Sequence, residues 1–156
     1  RRQVFFVIKT QDGLDAFVTA FYGVLHRPSG RLTYVRAAQD RPLLLRPGQQ
    51  VAALPGDGRF LGMIENLILQ EHSIALQPGD FLLLYSDGVT DALDPNGNSY
   101  GLDRLKEGYG RAAGANAAEV LSRLVADINY WRGAAPAFDD VTMLLVEAVV
   151  APGSNS

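Results

Sequence analysis

Asp87 and the pair Asp139–Asp140 are the residues whose type and placement could do chemistry. Asp87 ends the apolar run FLLLYSD (81–87) and is followed at once by Gly88. The acidic pair opens a second apolar run, DDVTMLLVEAVV (139–150), 52 positions further on. If the two runs are neighbouring strands, their carboxylates converge at one edge of a sheet. Hard oxygen donors of this kind suit Mg²⁺ or Mn²⁺, which take few carboxylates and keep several waters. The plainer alternatives are that Asp-Gly makes a turn and that acidic residues merely precede a strand. Spacing alone leaves both readings open.

Other candidates carry less. His26 and His72 have no partners at metal-ligand spacing and read as surface or internally satisfied side chains. Ser86 lacks the G-x-S-x-G setting of a nucleophile elbow. The stretch PGDG (55–58) has neither the Lys nor the Ser/Thr of a phosphate-binding loop. Tyr85 stands where a haloacid-dehalogenase-type phosphatase carries its nucleophilic Asp, which rules that chemistry out. Trp131 falls on an apolar helical stripe and belongs to a core.

The elements that must position the acids follow from periodicity. FVTAFYGVLH (17–26) and RLTYVRAA (31–38), separated by RPSG, predict a β-hairpin. LLLR and VAAL flank the turn PGQQ as two short strands, NLILQEHSIAL (66–76) alternates as another, and QPGD turns the chain into FLLLYSD. This reads as an antiparallel meander. The period then becomes helical: GLDRLKEGYGRA (101–112) places Leu102, Leu105 and Tyr109 on one face. Residues 116–132 place Val120, Leu121, Leu124, Val125, Ile128 and Trp131 on one stripe, with Asn116 and Glu119 as a capping box. A final strand follows over 139–150. Strands, helices and a closing strand predict an α+β layered domain.

Composition narrows the function. With 156 residues, 47% of them apolar and 20% charged, the chain suits one globular domain. A net charge of −3 without a basic cluster argues against a nucleic-acid surface. The absence of cysteine excludes disulfides and thiolate metal sites and suits a cytoplasmic setting. No apolar run approaches the ~20 residues of a membrane span. The chain opens at Arg1 and enters VFFVI almost at once, so a fragment is expected, with self-association, as in a homodimer, through the exposed end.

From about Asp15 to Ala148 the segments FVTAFYGVL, GRLTYVRAA, RPLLL, FLGM, LQPGDFLLLYSDGVTDA, YGLDRL and DDVTMLLV come in one order. In that order they resemble the C-terminal part of the phosphatase domain of stage II sporulation protein E and the stress-response sigma-factor phosphatases. These belong to the metal-dependent type 2C protein phosphatase superfamily. The resemblance implies a four-layer αββα sandwich of antiparallel sheets flanked by helices, with its N-terminal part missing. Residues 1–150 would be the partial phosphatase domain and 151–156 a disordered tail. It further implies a binuclear Mn²⁺ or Mg²⁺ centre with Asp87 and Asp139 as metal ligands, Asp140 as a neighbour, and no catalytic residue beyond the ligands. The implied reaction is hydrolysis of phosphoserine on a regulatory protein such as an anti-sigma-factor antagonist, within sigma-factor signalling.

Two departures stand out. Ala37-Ala38-Gln39 occupies the place of the family's Ala-Gly-His, and the upstream Asp-x-Ser-Gly, whose Asp bridges two metals, is absent from these residues. The isolated chain is therefore expected to be inactive. The competing expectation is a non-catalytic protein-binding module with a phosphatase-like fold.

Overall fold

In the computed structural model, residues 2–10 are described by their backbone, and residues 18–56, 58–62, 66–137 and 139–149 in full. The expected tail at 151–156 lies outside the described residues. In chain order the strands are β1 (Arg2–Thr10), β2 (Val18–His26), β3 (Arg31–Ala37), β4 (Leu43–Leu45), β5 (Ala52–Ala53), β6 (His72–Ala75), β7 (Phe81–Tyr85) and β8 (Met143–Glu147). Among the described residues between β7 and β8 lie the helices α1 (Asp87–Thr90), α2 (Gly101–Arg111) and α3 (Ala117–Arg132). The chain divides into two compact units, residues 1–41, 54–78 and 148–156, and residues 42–53 and 79–147. Among the described residues no helix is long and apolar enough to cross a membrane.

The first unit holds an antiparallel sheet of order β1-β2-β3-β6. The β2–β3 hairpin forms across residues 27–30 as the turn chemistry predicts, with Leu25 opposite Leu32. Phe21, Leu32 and Tyr34 are among its buried side chains, the rings of Phe21 and Tyr34 stacked at 5.3 Å. β1 pairs with β2 along its whole length, from Arg2↔His26 to Thr10↔Val18, a strand that the sequence reading did not assign. The strand expected over 66–76 shrinks to β6, and it returns to β3 through Tyr34↔His72 rather than continuing a meander. Residues 66–71 lie outside the strand, and Ile68 is 82% exposed. Alternation marks a sequence able to form a strand; the partner edge decides how much of it does.

Ala38 adopts φ 51°, in the left-handed region that glycine favours. This explains why a family pattern would carry Gly there. Gln39 beside it is buried; its side-chain carbonyl accepts from Thr19 Oγ1 at 3.0 Å, and its main-chain carbonyl accepts from Arg36. Arg36 also donates to Gly56 O at 2.8 Å, and the Tyr34 hydroxyl to Pro55 O at 3.0 Å. Gln39 is thus a structural tie in this unit. Ala38→Gly should remove the left-handed strain at the cost of a more flexible unfolded chain, a net gain of about 0.5–1 kcal/mol. Urea denaturation of the two proteins measures it, and a destabilised glycine variant would contradict the strain.

The second unit holds an antiparallel sheet of order β5-β4-β7-β8 with the helices in its core. All five residues of β7 are buried. Phe81, Leu83 and Tyr85 share one core with Leu105, Tyr109, Val120, Leu124 and Ile128, and Trp131 packs against its margin. The expected helical stripe is therefore largely correct. Val125 is the exception at 45% exposure: at 3.6 residues per turn it lies roughly 140° around from Val120. Leu102, in the first turn of α2, is likewise more exposed than expected. The capping box is present in full, with Glu119 N–H donating to Asn116 Oδ1 at 3.0 Å and Asn116 N–H to Glu119 Oε2 at 3.3 Å. Buried Asp80, closing the QPGD turn, pairs with Arg46 at 3.3 Å.

Candidate metal centre

β7 delivers Asp87 by rigid packing. Its last ladder pair is Tyr85↔Met143, and the chain then turns into α1, whose first residue is Asp87. Asp87 is half-buried, whereas Asp139 and Asp140 are exposed. The strand expected over 139–150 begins only at Met143. Of the residues before it, Asp140 and Thr142 bond Ser86, and the Asp139–Asp140 backbone lies against Gly88, in place of a continued ladder.

Those contacts bring the two acidic segments together. Ser86 N–H donates to Thr142 O at 3.0 Å, the Ser86 hydroxyl donates to Asp140 O at 3.0 Å, and Thr142 N–H donates to Ser86 Oγ at 3.0 Å. Gly88 lies so close to the acidic pair that a Cβ there would collide with Asp140 O and stand 3.4 Å from the carbonyl carbon of Asp139. Only glycine permits this approach. Asp140 N–H in turn donates to Asp139 Oδ1 at 2.7 Å. Asp91 caps the far end of α1, its N–H donating to Asp87 O at 2.8 Å.

Sequence reading undervalued Ser86 and Gly88, taking one as a failed nucleophile and the other as a turn residue. A signal existed only for Gly88, the small residue following an acid at a strand end. The partners of Ser86 lie 54 and 56 positions away in the chain.

Asp94, which the sequence reading did not single out, and the remaining candidates His26, His72 and Trp131 have structural roles. Asp94 accepts from Asn98 Nδ2 at 3.0 Å and from the main-chain N–H of Asn98 and Asn96 at 2.8 and 2.9 Å. Those bonds, the Asn98 side chain foremost, hold its pKa below the usual carboxylate value. His26 Nδ1 bonds Ser29 Oγ at 2.7 Å, and the His72 ring stacks on Tyr34 at 5.5 Å. Trp131 donates to Ala92 O at 3.2 Å and lies under the Arg104 guanidinium at 3.9 Å. Among the described residues, no group of three or more His, Asp or Glu side chains stands arranged to hold a metal.

Residues 4–149 match the family model of stage II sporulation protein E, SpoIIE. The protein IcfG of Synechocystis sp. is 31% identical over 140 residues, which are 89% of this chain and 22% of that protein. The SiaA-PP2C domain of Pseudomonas aeruginosa superposes with a TM-score of 0.77 at 23% identity, over 86% of this chain and 53% of that one. The PP2C phosphatase domain of SpoIIE from Bacillus subtilis, with a fragment of its regulatory domain, gives 0.67 at 18% identity, over 83% and 37%. The chain thus spans under a quarter of its curated relative and about half of the SiaA domain. The structural likeness shows the fold, mixed helix and antiparallel sheet of the PP2C phosphatase type, as the sequence predicts. By the extent of the family match, the chain belongs to the SpoIIE family.

Proposed function

We propose that this chain is part of a metal-dependent protein serine/threonine phosphatase and that Asp87 and Asp139 are two of its metal ligands. The observation that carries the reading is the seating of Gly88 on the Asp139–Asp140 backbone, which joins the segments bearing the two carboxylates. Two hard-oxygen donors on restrained segments fit a Mg²⁺ or Mn²⁺ ion that keeps several waters. When bound, a pair of such ions supplies neutralisation of a phosphate and a more acidic water for in-line attack. The chain's own work is placement: β7 anchors Asp87 through five buried residues, and Ser86 restrains the segment of Asp139. Carboxylates on rigid elements hold a site more accurately than those on mobile loops.

The substrate in this reading is phosphoserine on a small regulatory protein of the anti-sigma-factor-antagonist kind, in a cytoplasmic signalling pathway. Support comes from a Mycobacterium tuberculosis protein with RsbU and RsbW domains, which this chain resembles at a TM-score of 0.65. Support for the metal comes from RsbX, solved in complex with magnesium, at 0.55. Because the chain spans about half of the SiaA domain, further ligands are assigned to sequence outside these residues.

The test compares the 156-residue chain with a longer chain carrying an upstream Asp-x-Ser-Gly, each with Mn²⁺ and with chelator, on a phosphoserine protein. Chelator-sensitive turnover is expected from the longer chain only. Equal activity in the short chain would show the site to be misplaced. Inactivity of both, with phosphoprotein binding retained, would favour a binding module with a phosphatase-like fold.

A further inference from the structure

Ser86 occupies the N-cap of α1, where a serine ordinarily accepts from a main-chain N–H of its own first turn. Here it makes no such bond. Its hydroxyl is turned away from the helix and spent on the neighbouring segment, donating to Asp140 O and accepting from Thr142 N–H, both at 3.0 Å. The donor and the acceptor of one oxygen are thereby both used. The residue whose carbonyl it grips, Asp140, uses its own N–H to hold the Asp139 carboxylate at 2.7 Å. A continuous line of hydrogen bonds therefore runs from the residue preceding Asp87, through Asp140, to Asp139 Oδ1. The main-chain bond from Ser86 N–H to Thr142 O holds the two strands together without the side chain. The hydroxyl contributes something more local, the placement of residues 140–142 relative to α1.

We propose that Ser86 is a positioning residue that sets metal affinity by fixing the Asp139 segment against Asp87. This rests on the metal-ligand reading above. Groups that orient ligands without touching the metal typically change its affinity by about 10–100-fold when removed. The requirement is for one side chain that both donates and accepts, so Thr should replace Ser while Ala should not.

The experiment is a titration of the full-length protein with Mn²⁺, free ion being read by electron paramagnetic resonance. Hydrogen–deuterium exchange of the peptides covering 81–85 and 139–147 accompanies it. Ser86→Ala should weaken Mn²⁺ binding about 10–100-fold. Exchange should rise at 139–142 while β7 keeps its protection. Ser86→Thr should restore both. If Ser86→Ala does not fold, Ser86→Thr and Ser86→Cys decide, because a thiol is a weak donor and acceptor and should bind Mn²⁺ more weakly than the threonine variant. Wild-type affinity in Ser86→Ala or in Ser86→Cys would overturn the proposal, as would failure of Ser86→Thr to restore it. Asp87→Asn separates the two readings. If it binds Mn²⁺ as the wild type does, the metal assignment itself fails and this proposal with it. If it loses binding while Ser86→Ala does not, only the role of Ser86 fails.

Discussion

Asp87→Asn and Asp139→Asn are each expected to lower metal-dependent phosphoserine hydrolysis by the full-length protein by roughly a hundredfold or more, with little change in melting temperature. Loss of an orienting group alone costs about 10–100-fold, and loss of a ligand removes charge at the ion as well. Asn keeps the size and an oxygen donor but withdraws the anion, so the substitution probes charge at the site. The fold should survive because neither side chain belongs to the apolar core, which is built from Phe81, Leu83, Tyr85 and the helices. Asp91→Asn is the control. That residue lies at the other end of α1, exposed, and its contribution to the turn comes from its main-chain N–H. A steady-state assay with Mn²⁺ beside a thermal melt measures all three variants. Equal losses in all three, tracking lower melting temperatures, would mark the acids as structural.

Leu124→Ala should destabilise the protein by about 2–5 kcal/mol, the cost of removing buried methylenes and leaving a cavity. Leu124 is 1% exposed and lies between Val120 and Ile128 on the stripe of α3 that joins the core of β7 and α2. Neither relaxation of the sheet nor entry of water can readily fill the space, since β7 is buried at every residue. Val125→Ala, one position on, removes an apolar group that is 45% exposed and should stay within about 0.5–1 kcal/mol. Urea denaturation of both variants gives the difference directly. Comparable costs at the two positions would mean that α3 presents a different face to the sheet.

The two results address different levels of one structure. Leu124 tests whether the core holds β7 still, and Asp87 tests whether what β7 holds is a metal ligand. A variant that fails at the first level is expected to fail at the second, whereas the reverse does not follow.

The sequence by itself determined the elements whose signals are local. The run FLLLY carried its own burial, the Asn116–Glu119 box its own helix start, and the helical period the stripe of Val120, Leu124 and Ile128. It also marked Asp87 and Asp139 as acids at the ends of apolar runs. Tertiary structure alone decided the pairings: β6 returns to β3 and β7 joins β4 and β8, because alternation shows that a strand can form but not which edge accepts it. The same rule shortened the stretches 66–76 and 139–150, whose first residues lie outside the ladders. Ser86 and Gly88 were legible as residue types but not as a clasp, since each acts through main-chain atoms more than 50 positions away. A hydrogen bond to the backbone leaves no mark on the identity of the residue that supplies it, and only the folded chain shows which carbonyl the hydroxyl has found.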